Sequence, residues 1–141
     1  MTEKVIIRQN SRFETEFQAT DPEVEGAGEF FDVSGLHELT PYGMLLSSLG
    51  GCTAIVVNTY ANNHGIPLDA VEIRLEYRRN FKEDCINCET IDRYEDIIQE
   101  EIRFEGRLSE EQIEKLNDIS HKCSIYRLLE DGVVIESILK K

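Results

Sequence analysis

The chain has four cysteines, Cys52, Cys85, Cys88 and Cys123, and they are the residues whose types and spacing point most directly to chemistry. Cys52 closes the stretch Ser47-Ser48-Leu49-Gly50-Gly51-Cys52, and Cys123 stands in His121-Lys122-Cys123-Ser124. A thiolate can attack a peroxide O–O bond and become a sulfenic acid, and a second thiol can condense with that acid. Cys52 and Cys123 are far apart in sequence. Only the fold could bring them within the Cα separation of about 7 Å that a disulfide tolerates. The plainer reading is two buried apolar thiols, because free cysteine is among the most buried residue types.

The two thiols differ in their expected electrostatics. Cys52 falls in the middle of a long apolar segment, where a helix dipole does little and apolar surroundings raise a thiol pKa. Cys123 precedes a short helical pattern whose N-terminus would lower its pKa. On that ground alone Cys123 is the better thiolate. A nearby cation would favour Cys52 instead, and Arg12 and Arg127 are the candidates. His121, two residues before Cys123, could polarise it, although a plain surface histidine is the simpler reading.

Cys85-Ile86-Asn87-Cys88 is a separate constellation. C-x-x-C is half of a four-ligand zinc site. A second copy from a homodimer, or His121 or His37, could complete it. As a redox dithiol the motif is best known before a helix in a βαβ setting, whereas here it lies in a polar segment after a strand. Free thiols on a surface loop, a weak zinc site at Cys85 and Cys88, and a redox relay all remain open.

The elements that must position these groups follow from periodicity. Val5–Arg8 and Phe13–Ala19 read as strands, with Phe13, Thr15, Phe17 and Ala19 on one face. Asn10-Ser11 is the turn between them, and Glu29–Val33 is a short third strand. Thr40-Pro41 is a capping pair that starts a helix running to about Asn63, with His64-Gly65 at its end. Gly50 and Gly51 each cost that helix about 1 kcal/mol relative to alanine. Their presence therefore implies close approach by a partner helix or substrate, or plain helix packing. Ala70–Phe81 alternates as a long half-buried strand. Ile97–Phe104 returns as another, with Ile98, Ile102 and Phe104 among acidic residues, and the acidic run Glu95–Glu105 reads as a solvated face. Ser109 caps a helix with Gln112 three residues on, and Ile113, Leu116, Ile119 and Ser120 form its inward stripe. A short helix over Ser124–Glu130 and a last strand over Val133–Leu139 complete the chain. The expected fold is α+β, mainly antiparallel, with a long buried central helix, in one domain over residues 1–141.

With 141 residues the chain is long enough for a real core. It carries 28 Asp+Glu against 15 Lys+Arg, a net charge of −13. No basic cluster is present to hold phosphates, which argues against nucleic acid or an anionic membrane as partner. The N-terminus lacks a signal-peptide core, and no uninterrupted apolar run reaches the ~18 residues of a membrane span. A cytoplasmic protein is expected. The Pro41–His64 helix is apolar on most sides, more than one small chain can cover, which implies a homodimer.

The segment Thr40-Pro41-Tyr42-Gly43-Met44-Leu45-Leu46-Ser47-Ser48-Leu49-Gly50-Gly51-Cys52-Thr53 resembles the cysteine-bearing helix of the OsmC/Ohr family, the osmotically induced and organic-hydroperoxide-resistance proteins. Gly65–Glu72, Phe104–Ser109 and His121–Arg127 resemble later family motifs in the same order, so that the likeness spans roughly residues 27 to 139. The resemblance implies an OsmC-like fold and an intertwined homodimer. It implies a cofactor-free, antioxidant thiol peroxidase acting in the response to oxidative stress. Its substrates would be organic hydroperoxides or hydrogen peroxide, with a thiol reductant closing the cycle. Cys52 would attack, Cys123 would resolve, and an N-terminal arginine, here Arg12, would assist. The rival is a non-catalytic redox or small-ligand binding protein on the same fold. It is favoured by the helix start Pro41-Tyr42-Gly43-Met44, which has no glutamate.

Overall fold

The computed structural model describes residues 2–20, 29–81 and 94–140. β1 (Thr2–Asn10) and β2 (Thr15–Thr20) pair antiparallel with Ile7 opposite Phe17. Asn10 makes the turn. Its side-chain oxygen accepts from the backbone N–H of Arg12 (2.9 Å) and Glu14 (3.1 Å), which replaces hydrogen bonds lost as the strands separate. β3 (Phe30–Asp32) pairs with β2. β4 (Leu68–Phe81) and β5 (Tyr94–Gly106) follow on the other side, and the sheet order is β3-β2-β1-β4-β5, every pair antiparallel.

Alternation sets the core. Val5 lies opposite Leu75 and Ile7 opposite Ile73. All four are buried with Val71 and Tyr77 on the face that receives the long helix α1 (Pro41–Asn63). Leu46, Leu49 and Ala54 fill that face from the helix side. Each fully buried aliphatic side chain contributes about 1.5–3 kcal/mol. By length and composition alone α1 would pass as a membrane span, but half of its most apolar window is buried inside this fold.

The start of α1 is fixed as the Thr-Pro pair predicts. Thr40 Oγ1 accepts from Gly43 N–H at 3.1 Å and donates to the buried Glu3 carboxylate of β1, which ties the helix start to the sheet. At the other end His64 N–H bonds to the Tyr60 carbonyl at 3.1 Å, and Gly65 takes φ +64 to release the chain. Gly50 is required by the helix–sheet contact: a Cβ there would collide with Ile7 Cδ1 and sit 2.8 Å from Leu75 Cδ1. At Gly51 the nearest atoms of Phe17 are 3.9 Å away, an ordinary contact. Gly50 thus serves the helix–sheet contact.

α2 (Glu110–Ser120) begins with the expected capping box: Gln112 N–H donates to Ser109 Oγ at 3.1 Å, and Ser109 N–H donates to Gln112 Oε1 at 3.0 Å. Leu116, Ile119 and Ser120 are buried, but Ile113 remains exposed. α3 (Ser124–Asp131) ends at Gly132.

Two expectations need correction. Val133–Leu139 is not a strand: the segment lies outside the sheet, with Val134 84% exposed. An alternating pattern needs a neighbouring edge, and neither outer strand of this sheet, β3 or β5, accepts it. The acidic run of β5 is not wholly solvated either. Glu100 sits opposite Leu75, between Ile98 and Ile102 on the inner face, and it is half-buried.

Candidate thiol site

Tyr42, Leu45, Leu49 and Cys52 recur at helical spacing along one face of α1. α3 begins beside the end of that stripe. Cys123 is its N-cap, and the Tyr126 backbone N–H donates to Cys123 Sγ at 3.4 Å. Cys52 Sγ lies 3.7 Å from Ser124 Oγ. Both thiols are free, with Cys123 fully buried and Cys52 half-buried. Two residues remote in sequence thus share one small volume.

Their electrostatics reverse the order expected from helix position. Burial pushes the Cys52 thiol up. Hydrogen bonds from the Cys123 thiol, the Ile125 N–H, and the hydroxyl and N–H of Ser124 outweigh burial and hold it below its ordinary value. Burial pushes Cys123 up, and donating to Cys52 holds its proton more firmly. Contacts from the Tyr126 N–H and from Thr53 offset this only in part. The first-turn N–H groups of α3 therefore act on the cysteine that faces them from another helix. Cys52 is the better thiolate of the pair.

Arg12 is placed elsewhere in this chain. It is exposed in the β1–β2 turn, where Ser11 O accepts from Asn62 Nδ2 at 3.3 Å near the far end of α1. That is roughly three helical turns, about 15 Å, from Cys52. Arg127 is exposed on α3. His121 is exposed, with its ring 5.4 Å from that of Tyr126, and His37 is exposed in a single 3₁₀ turn at Leu36–Glu38. His64 caps α1, its Nδ1 2.9 Å from the Tyr60 carbonyl and its ring stacked on Tyr60 at 3.9 Å. Cys85 and Cys88 lie outside the described residues. Among the described residues, no group of three or more His, Cys, Asp or Glu could hold a metal ion.

A cavity of about 460 Å³ lies between α1, α3 and the sheet. Tyr42, Leu45 and Leu49 form one wall, so that it reaches within a helical turn of Cys52. Tyr126, Leu129 and Glu130 of α3 form a second wall, and Tyr77, Arg79, Asp96, Ile98 and Glu100 of the sheet form the third. Its polar corner is a connected network. Arg79 Nε donates to Asp96 Oδ1 at 2.9 Å, Tyr77 Oη donates to the same oxygen at 2.6 Å, and Arg79 Nη2 reaches Tyr42 Oη at 3.3 Å. Burial and then the Asp96 carboxylate push the Tyr77 phenol up to about 12. Hydrogen bonds from Tyr77 and Arg79 hold Asp96 below the usual carboxylate range. Glu100 is different. Its Oε2 is buried without a hydrogen-bond partner, and burial pushes its carboxyl up to about 7.

The sequence reading missed Glu100 and Arg79. For Glu100 a signal existed: it shares the parity of the apolar residues Ile98, Ile102 and Phe104. For Arg79 one existed too: it shares the parity of Val71, Ile73, Leu75 and Tyr77, but an arginine late in an alternating strand reads as solvated.

A long apolar helix laid on an antiparallel sheet, with a thiol that meets a second cysteine at the start of another helix, defines an α+β protein with a cysteine pair. The sequence profile of the OsmC-like proteins matches residues 34–137, and the chain belongs to that family. Among solved structures it is similar to an OsmC-like hydroperoxide resistance protein from Jannaschia sp. CCS1, with a TM-score of 0.69 at 14% identity over 99% of this chain and 94% of that one. At that identity the likeness is one of fold. Comparison with curated proteins gave no match.

Proposed function

We propose that the protein is a thiol-dependent peroxidase reducing organic hydroperoxides or hydrogen peroxide, with Cys52 attacking and Cys123 resolving. The observation that carries this reading is the convergence of the Cys123 thiol and the first N–H groups of α3 on the Cys52 sulfur. A thiolate so held is the form that attacks peroxides. The Cys52 sulfur forms a bond to one peroxide oxygen as the O–O bond breaks. Sulfur is oxidised to the sulfenic acid, and the departing alkoxide takes up a proton and leaves as alcohol. The Cys123 sulfur then displaces the sulfenic oxygen, which departs as water with the Cys123 proton, and a disulfide remains. An external thiol reductant returns both cysteines to thiols by exchange. No cofactor takes part in these steps. Family membership and the fold shared with a hydroperoxide resistance protein support the reading.

In this proposal the protein works as a cytoplasmic homodimer of single-domain chains. Met44 and Ile55 on the open face of α1, with Ile55 51% exposed, are apolar surface that a second copy would cover, as are Val133–Leu139. A second reading is a non-catalytic binding protein, which would use the cavity beside α1. Peroxide consumption by the two single variants separates them. Cys52→Ser should be inert. Cys123→Ser should react once per site and yield a sulfenic acid that a selective reagent traps. If both thiols stay unmodified after peroxide treatment, the peroxidase reading fails and the binding reading stands.

A further inference from the structure

The donors that converge on Cys52 Sγ differ in what they can do once it reacts. The N–H groups of Ser124 and Ile125 are fixed in the first turn of α3. The Cys123 thiol keeps its proton for the resolving step. The Ser124 hydroxyl is bound by neither limit. Its Oγ lies 3.7 Å from Cys52 Sγ and turns about a single Cα–Cβ bond. Ser124 is exposed, whereas its neighbour Cys123 is fully buried. α3 does not need this hydroxyl as a cap, because Cys123 Sγ already accepts the Tyr126 N–H at 3.4 Å. Nor does the first position of a helix call for a hydroxyl, since proline is favoured there.

We propose that the Ser124 hydroxyl is the proton donor of the peroxide reaction, bonded to the Cys52 sulfur before attack and to the departing peroxide oxygen during it. This rests on the function proposed above. As the sulfur bonds to the terminal oxygen and the O–O bond breaks, negative charge leaves the sulfur and gathers on the oxygen one bond further out. The fixed N–H groups stay with the sulfur. A hydroxyl beside it can turn outward and follow the charge. Its bond is then stronger in the transition state than in the resting enzyme, which is the condition for acceleration. The Oγ proton passes to the alkoxide, which leaves as alcohol, and Oγ takes a proton from solvent water and releases hydroxide. In sum, thiolate, hydroperoxide and water give sulfenic acid, alcohol and hydroxide. The scheme requires no cation beside the thiol, in keeping with the place of Arg12 in the β1–β2 turn near the far end of α1.

Two reactions of the same sulfur test this. tert-Butyl hydroperoxide releases an alkoxide that needs a proton, whereas iodoacetamide releases iodide, which needs none. Both rates are measured at Cys52 by peptide mapping of the reduced full chain, below and above the pH midpoint of its thiol. Above the midpoint the thiolate population is equal in every variant. There Ser124→Ala should react with the hydroperoxide at least about tenfold more slowly than the parent protein. The loss should stay below the hundredfold typical of an enclosed donor, because water partly replaces an exposed hydroxyl. Ser124→Thr keeps the hydroxyl and should recover most of the rate. With iodoacetamide, parent and both variants should react alike. An equal loss with both reagents would show that the substitution only displaces the sulfur. A hydroperoxide deficit present below the midpoint and absent above it would show that the hydroxyl acts only on the thiolate population. Either result overturns the proposal and leaves the peroxidase reading standing. A parent chain in which the hydroperoxide leaves Cys52 unmodified removes both.

Discussion

The two halves of α1 face different surroundings. Near its C-terminal end Asn58 Nδ2 donates to Gln9 Oε1 at 2.8 Å, and Gln9 Nε2 donates to Thr15 Oγ1 at 2.8 Å. Asn58 and Gln9 are both buried, and the chain of bonds ties helix to hairpin, with Asn58 Oδ1 left without a partner. Toward the N-terminal half the helix faces a cavity, an unpaired Glu100 oxygen and a half-buried thiol. One end uses burial to fix geometry. The other packs a cavity against the helix beside a buried carboxyl oxygen and a half-buried thiol.

Substitutions can break this contrast, and the largest effect should come at the open end. Cys52→Ser should reduce peroxide consumption to background while leaving the thermal unfolding midpoint nearly unchanged. At the closed contact Gly50→Ala should destabilise by about 1–3 kcal/mol, because the added methyl is driven into Ile7 and Leu75. Asn58→Ala should cost about 1–3 kcal/mol by leaving Gln9 Oε1 buried and unpaired, and chemical denaturation would measure both losses.

Glu100 should show the opposite sign. Its folded carboxyl holds a proton up to about pH 7 against an ordinary value of 4.5. The folded state therefore loses stability as pH rises from about 4.5 to about 7, and the loss is complete above that window. Glu100→Gln should consequently gain on the parent protein above about pH 7 and show no gain near pH 4. With allowance for its partial exposure, the gain is on the order of 1–2 kcal/mol. A denaturation series across pH that finds a constant difference would remove Glu100 from the contrast. The smallest effect concerns thiolate formation at the open end. In Cys123→Ala, the pH midpoint for alkylation of Cys52 should lie above that of the parent protein, because the hydrogen bond from the Cys123 thiol is gone.

Much of this molecule was determined by local sequence. The Thr40-Pro41 start of α1, the Ser109/Gln112 capping box and the alternation of Val71, Ile73, Leu75 and Tyr77 act over a few residues, and the structure repeats each of them. The pairing of the two cysteine segments was legible only as a resemblance of motifs. What required the tertiary structure were effects between remote residues. The cost of Gly50 is explained by Ile7 and Leu75 across the helix–sheet contact. Val133–Leu139 has a strand's alternation but no edge to join, and pairing needs a partner that the pattern itself cannot supply. The thiolate order was reversed because the Cys123 thiol, and then the N–H groups of α3, point at a sulfur on another helix, and such groups act on whatever the packing places before them, not on the nearest residue in sequence.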